Sequence, residues 1–184
     1  QVPALTNDST PPITVNATQA GTLSIAGGCL ASTTPSLLVG NTTFSFDSLF
    51  DGTYTCVLTL GTGTATTSAT TTAFTIDTTV AAPTATFPAV NAFNQTAVTL
   101  TGGGEAFAVL SYSITDATTT IAGTTTVTAL GGWSVTLNLS TLLDGVLTGT
   151  FFQTDLAGNV STSTTVFSTK DTTSPVLTII TQVP

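Results

Sequence analysis

The sequence predicts an all-β chain made of antiparallel sandwiches, and three observations carry that expectation. Of 184 residues, 48 are Thr and 15 are Ser, while only 5% are charged, so hydroxyl side chains must cover the surface. Thr is β-branched and half apolar: it suits a pleated strand with one face in water and loses side-chain freedom in a helix. Apolar residues also alternate. Tyr54, Cys56, Leu58 and Leu60 share one side of an extended run, as do Trp133, Val135, Leu137 and Leu139. No segment carries a helical period.

Turn residues divide the chain into strands. Asn-Asp and Pro-Pro precede a run near 12–18, Gly21 opens one near 21–27, and Gly27-Gly28 closes it. Further strands are expected near 42–46, 53–60 and 69–76, the fourth entered through Asp51-Gly52. A second series is expected near 84–89, 96–101, 107–115, 120–128, 132–139, 146–154 and 160–168. Short runs between turns spaced roughly 8 to 12 residues apart are the pattern of a sandwich.

Internal similarity sets the domain organisation. Ser48-Leu-Phe-Asp-Gly52 returns as Thr141-Leu-Leu-Asp-Gly145, and Phe74-Thr-Ile-Asp-Thr-Thr79 returns more loosely as Ser168-Thr-Lys-Asp-Thr-Thr173. Two modules follow, 1–79 and 80–172, the first expected to lack its own first strand. Residues 173–184 are read as the first strand of a following or neighbouring module, written as Val176, Leu177, Thr178, Ile179 and Ile180. Gln1-Val2-Pro3 recurs as Gln182-Val183-Pro184, which agrees with a window cut from a longer array. The last strand then pairs either within one long chain or with a separate copy, and both remove an exposed edge.

Composition excludes several functions. Nine acids face one base, Lys170, for a net charge of −8, and there is no Arg or His. Such a chain cannot neutralise a row of phosphates, so no nucleic-acid partner is expected. Imidazole catalysis, imidazole metal sites and arginine clamps lack their residues. No apolar run approaches the roughly 20 residues that span a bilayer. Met is absent, so a mature or excised stretch of something longer is expected. Cys29 and Cys56 are either a disulfide or two buried thiols; a hydroxyl-rich, Lys-poor chain reads as secreted, where the bridge is favoured. Closing such a loop stabilises by about 3 kcal/mol in the chain-entropy model.

The motifs resemble a known family. Asp51-Gly-Thr-Tyr-Thr-Cys56 looks like the start of strand F in an immunoglobulin-type sandwich, where a Tyr hydroxyl pins the corner. Cys29 lies too close upstream, without a companion Trp, for the intersheet bridge of antibody domains, so a bridge from the end of strand C to strand F is expected. In the second module Gly102-Gly-Gly-Glu105, Gly132-Trp-Ser-Val-Thr-Leu137, Leu143-Asp-Gly145, Thr154-Asp-Leu-Ala-Gly-Asn159 and Asp171-Thr-Thr-Ser-Pro175 resemble, in order and spacing, the bacterial Ig-like repeats of giant surface adhesins. Thr6-Asn-Asp-Ser-Thr-Pro11, Ala20-Gly-Thr22 and Gly27-Gly-Cys29 make the first module similar to a sister repeat. The resemblance implies two tandem immunoglobulin-like β-sandwich modules, on the cell surface, often with calcium in the joints.

Topology turns the acids into a test. In a seven-strand sandwich the AB, CD and EF loops share the pole where strand G exits, and the BC, DE and FG loops share the other. Asp8, Asp51 and Asp77 are expected at the exit pole of the first module; Glu105 and Asp155, with Asn159, at the opposite pole of the second. Oxygen ligands without thiolate or imidazole select a hard ion, so Ca2+ at the inter-module junction is expected, with Asp77, Asp155 and Glu105 as ligands and Asp8 and Asp51 behind them. For Asp51 and Asp144 the plainer role is a turn or cap residue. Six Asn-X-Ser/Thr sequons arise in so Thr-rich a chain without special meaning.

The expected function is a non-catalytic stalk or extender segment of a long extracellular repeat protein, whose partners are further copies of the repeat. A filament or sheath protomer joined by strand donation is the first alternative. Glycan or ice binding through flat Thr-rich strands such as Thr64 to Thr72 is the second, against a solvated edge strand.

Overall fold

The structure, a computed structural model, describes residues 2–31, 35–63 and 65–180. Among the described residues every regular element is a strand, as the composition predicts. The chain divides into two compact units, Gln1–Val80 with Leu156–Asn159, and Ala81–Asp155 with Val160–Pro184.

The first unit contains β1 (Leu5–Thr6), β2 (Pro12–Ala17), β3 (Gly21–Ala26), β4 (Ser36–Leu37), β5 (Gly40–Ser45), β6 (Gly52–Tyr54), β7 (Val57–Gly61), β8 (Thr66–Thr70) and β9 (Phe74–Ile76). β2 pairs with β5; β4, β3, β7 and β8 form a second sheet, and β1, β9 and β6 a third. Between them lie Leu23, Phe46, Leu58, Phe74 and Ile76, all buried. Phe46 and Tyr54 each stack on Phe74, at 6.1 and 6.0 Å between centroids.

The second unit contains β10 (Val90–Asn91), β11 (Val98–Gly103), β12 (Val109–Thr115), β13 (Thr120–Thr126), β14 (Gly132–Leu137), β15 (Gly145–Thr154) and β16 (Thr164–Asp171). β11 pairs with β14 across from one continuous sheet ordered β10-β16-β15-β12-β13. Leu100, Leu110, Ile114, Leu139, Leu147 and Phe151 fill the space between. Trp133 packs on Phe151 at 5.4 Å, and its indole N–H is shared between the carbonyls of Thr84 and Gly103, at 3.1 and 3.2 Å. Gly102 makes that approach possible: a Cβ there would meet the Thr84 oxygen at 1.9 Å.

Several strand boundaries differ from the sequence expectation. The run 53–60 is two strands, β6 and β7, because the chain changes sheet at Thr55-Cys56; 69–76 likewise breaks into the end of β8 and β9. The first unit has an N-terminal strand where the expectation placed none: Leu5 and Thr6 pair parallel with Thr75 and Ile76, and Val2 is buried. The run 84–89 makes only an isolated bridge at Thr86, since Pro83 and Pro88 cannot donate to a ladder, and pairing resumes at β10. β16 starts at Thr164 rather than 160, with a single bridge from Val160 to Thr154 before it. Gln1 and residues 181–184, the latter including the second Gln-Val-Pro, lie outside the described residues.

Candidate functional site

Each unit carries the same clamp where its last strand leaves. In the first, Asp51 Oδ1 accepts the Thr78 N–H at 2.9 Å and its hydroxyl at 2.7 Å, and Oδ2 the Thr79 hydroxyl at 3.2 Å. In the second, Asp144 Oδ2 accepts the Thr172 N–H and hydroxyl at 3.0 and 2.8 Å, and the Thr173 hydroxyl at 3.4 Å. Both carboxyls are held below their ordinary pKa, Asp51 chiefly by the Thr78 hydroxyl and Asp144 chiefly by the Thr172 N–H. The Asp-Gly turn and the Asp-Thr-Thr exit, similar in sequence, are therefore two halves of one hydrogen-bonded device. The plainer role for Asp51 and Asp144 is the one the geometry shows. Asp8 also caps locally, taking the Thr10 N–H at 2.8 Å and hydroxyl at 3.0 Å.

The remaining expected ligands are placed as follows. Asp77 follows β9 in the first unit; its N–H donates to Thr6 O at 3.0 Å, its Oδ1 accepts the Thr79 N–H at 3.3 Å, and its carbonyl accepts the Asn159 side chain at 2.7 Å. Glu105 and Asp155 lie together in the second unit, with a carboxylate oxygen of each within 4.8 Å of the other. Asp155 is buried.

Gln153, which no sequence pattern singled out, builds this end of the second unit. It occupies an inward position of β15 and is fully buried. Its Nε2 donates to Ala81 O at 2.8 Å, its Oε1 accepts the Glu105 N–H at 3.1 Å, and its backbone exchanges bonds with Ser161 at 3.0 and 2.9 Å. One residue thus ties three loops together, two through its side-chain amide and one through its backbone, and the buried amide is satisfied at both ends. The side chain sits so close over Gly104 that a Cβ there would lie 2.3 Å from Oε1. The only available signal was a Gln at an apolar phase of a strand.

Two more residues escaped sequence reasoning. Lys170 is buried at an inward position of β16, and its Nζ donates to the carbonyls of Leu139, Ser140 and Leu142. Asp116 accepts the N–H groups of Thr118, Thr119 and Leu143 at 2.8, 2.6 and 2.6 Å, which pins the turn holding Ala117 at a φ of 75° to the loop before β15. Those bonds, the Leu143 N–H foremost, hold its pKa far below the carboxylate range.

Cys29 and Cys56 form a disulfide, with both residues fully buried and Cα atoms 5.6 Å apart. It joins the segment after β3 to the junction of β6 and β7, as expected. Tyr54 donates its hydroxyl to Phe50 O at 2.9 Å, the corner bond its motif predicted. Val176, Leu177, Thr178, Ile179 and Ile180 are exposed, with no strand partner among the described residues. Of the Thr-rich stretch, Thr64 lies outside the described residues and β8 is exposed at every position.

These arrangements hold loops and sheets in place. No curated protein sequence matches the chain. Among solved structures, a tetra-tandem repeat from the extending region of a large adhesion protein aligns over 94% of this chain at 23% identity with a TM-score of 0.50; the chain spans 48% of that structure. A solved chain from a 1.5-MDa bacterial ice-binding adhesin aligns over 89% of this chain and 58% of that solved chain at 22% identity and a TM-score of 0.49. The family model described as "Bacterial Ig domain" matches residues 82–170. Over those residues the second unit is similar to the bacterial Ig domain family.

Proposed function

We propose that the chain is a non-catalytic extender segment of a long extracellular adhesin, in which serial sandwiches set the distance between a surface and a distal binding element. The observation that carries this reading is the repeated clamp: Asp51 on Thr78-Thr79 and Asp144 on Thr172-Thr173 hold the exit strand of each unit to the turn before its strand F. A segment under tension needs its terminal strands fastened, and both units fasten theirs in the same way. The Ig domain match over residues 82–170 and the adhesin-repeat fold support it. Stretching single molecules tests it: two discrete unfolding events per chain are expected, one of them lengthened by reductant as the Cys29–Cys56 loop is freed. Extension without a force peak would sink the reading.

Calcium belongs to the same proposal as a stiffening ion. Within the second unit it would be held by Glu105 and Asp155, whose paired carboxylates favour a hard cation; Asp77 is the third ligand expected from the sequence. Calorimetric titration with Ca2+ should give saturable heat that Asp155→Asn abolishes, and heat indistinguishable from dilution would remove calcium from the proposal.

A further inference from the structure

The first unit is open along one side. Among the described residues β2 has a partner only in β5, and β8 only in β7. Between these two unpaired edges run two adjoining hollows of about 270 and 240 Å³, both lined by Val15, Leu58 and Ala69. Leu23 and Leu60 extend the second, and Val2 stands in the first. An apolar groove flanked by unpaired backbone N–H and C=O groups is the surface to which an extended strand adds.

The second unit shows what fills the corresponding space. There β11 pairs with β14 as β2 pairs with β5, and residues 83–88 lie along it. Thr84 N–H donates to Gly103 O at 2.9 Å, and Thr86 and Thr101 exchange bonds at 2.7 and 3.3 Å. The Thr164 and Ser168 hydroxyls of β16 donate to the carbonyls of Pro83 and Pro88. Pro83 is buried, and Ala85 and Phe87 pack against the core.

The same chain carries a second segment of this chemistry. Pro175-Val-Leu-Thr-Ile179 repeats the pattern of Pro83-Thr-Ala-Thr-Phe87, a proline followed by apolar side chains at the second and fourth places after it. Leu177 and Ile179 hold those places and are 96% and 82% exposed. We infer that the groove between β2 and β8 is a strand acceptor, and that residues 175–180 of a second copy of this chain are its occupant. The added strand runs antiparallel to β2, as residues 84–86 run against β11, with Leu177 and Ile179 facing the groove floor. This rests on the reading of the chain as one of many successive copies, and it names the surface through which copies join.

Hydrogen exchange followed by mass spectrometry tests the inference. The full chain carrying L177D and I179D serves as acceptor, because both side chains are exposed and their replacement leaves the cores untouched. The donor is a synthetic peptide of residues 174–181 with a lysine tail for solubility. With peptide at about 1 mM, amides of residues 13–17 and 66–70 should exchange about tenfold more slowly, and a peptide carrying both aspartates should leave them unchanged. Unchanged exchange with the wild-type peptide, or protection confined elsewhere, overturns the inference. If the peptide fails while stretching still gives two unfolding events, the extender reading stands alone; if the events are missing, that reading falls whether or not the peptide binds.

Discussion

The two units share a frame and differ in what holds it. In both, the glycine of an Asp-Gly turn pairs with the last strand, Gly52 with Ile76 and Gly145 with Lys170, and the aspartate before it clamps a Thr-Thr pair. Beyond that point the solutions diverge. The second unit runs β15 unbroken for ten residues through a five-stranded sheet, and fills the position of Ile76 with the chain's one cation, held by three loop carbonyls. The first breaks the same strand at Thr55-Cys56, so that β6 and β7 serve different sheets, and cross-links the break to the segment after β3 through Cys29. Thr71 mends part of the gap: its hydroxyl oxygen accepts the Cys56 N–H at 3.0 Å, and its own N–H donates to the Cys56 carbonyl at 2.9 Å. Short sheets bury less of their ladder, and a covalent loop restrains the unfolded chain where hydrogen-bond continuity is missing.

The comparison can be broken most directly at the disulfide. Replacing both cysteines by serine should cost the first unit about 3.5 kcal/mol, the chain-entropy value for a separation of 27 residues. Calorimetry should show its transition lowered and that of the second unit unmoved; a shift of both would mean that the units do not unfold independently. Lys170→Met should cost the second unit about 3 kcal/mol, because buried carbonyls lose their donor, and chemical denaturation should show the loss confined to that unit. Tyr54→Phe keeps the ring on Phe74 and removes only the bond to Phe50 O, so about 1 kcal/mol is expected from the first unit.

Acid should produce the mildest effect, and a shared one. Asp51, Asp116 and Asp144 have folded pKa values below their unfolded ones. Their contribution is therefore complete above the usual carboxylate pKa of about 4 and is lost as pH falls through the folded values. Melting temperatures should be flat from neutral pH to about 5 and decline below about 4. Asp116→Asn should flatten the decline of the second unit only; an unaltered profile would show that its hydrogen bonds do not contribute.

Much of this was legible before any coordinates. Trp133 and Leu137 fall on the inward phase that alternation assigns them, and the Asp-Gly and Asp-Thr-Thr motifs mark the places where the chain turns and leaves. The poles of a sandwich could also be reasoned out, which is how Glu105 and Asp155 came to be named together. The break at Thr55-Cys56 was not legible, because both flanks continue the same alternation and the change of partner leaves no trace in residue type. Nor was the burial of Lys170 and Gln153, since polarity alone assigns both to the surface.

The sequence by itself determined the strand period, the turns between strands, the one possible cysteine pairing and the hydroxyl-rich surface, because each depends on neighbours two to four residues away or on composition. Only the tertiary structure decided which polar side chains go inside, where a strand changes sheet, and which sheet edges stay unpaired. Those outcomes depend on carbonyls and backbone edges supplied by distant segments: Lys170 is buried because residues 139–142 bring three acceptors to it, and the side of β2 away from β5 is open because no described strand of its own unit lies there.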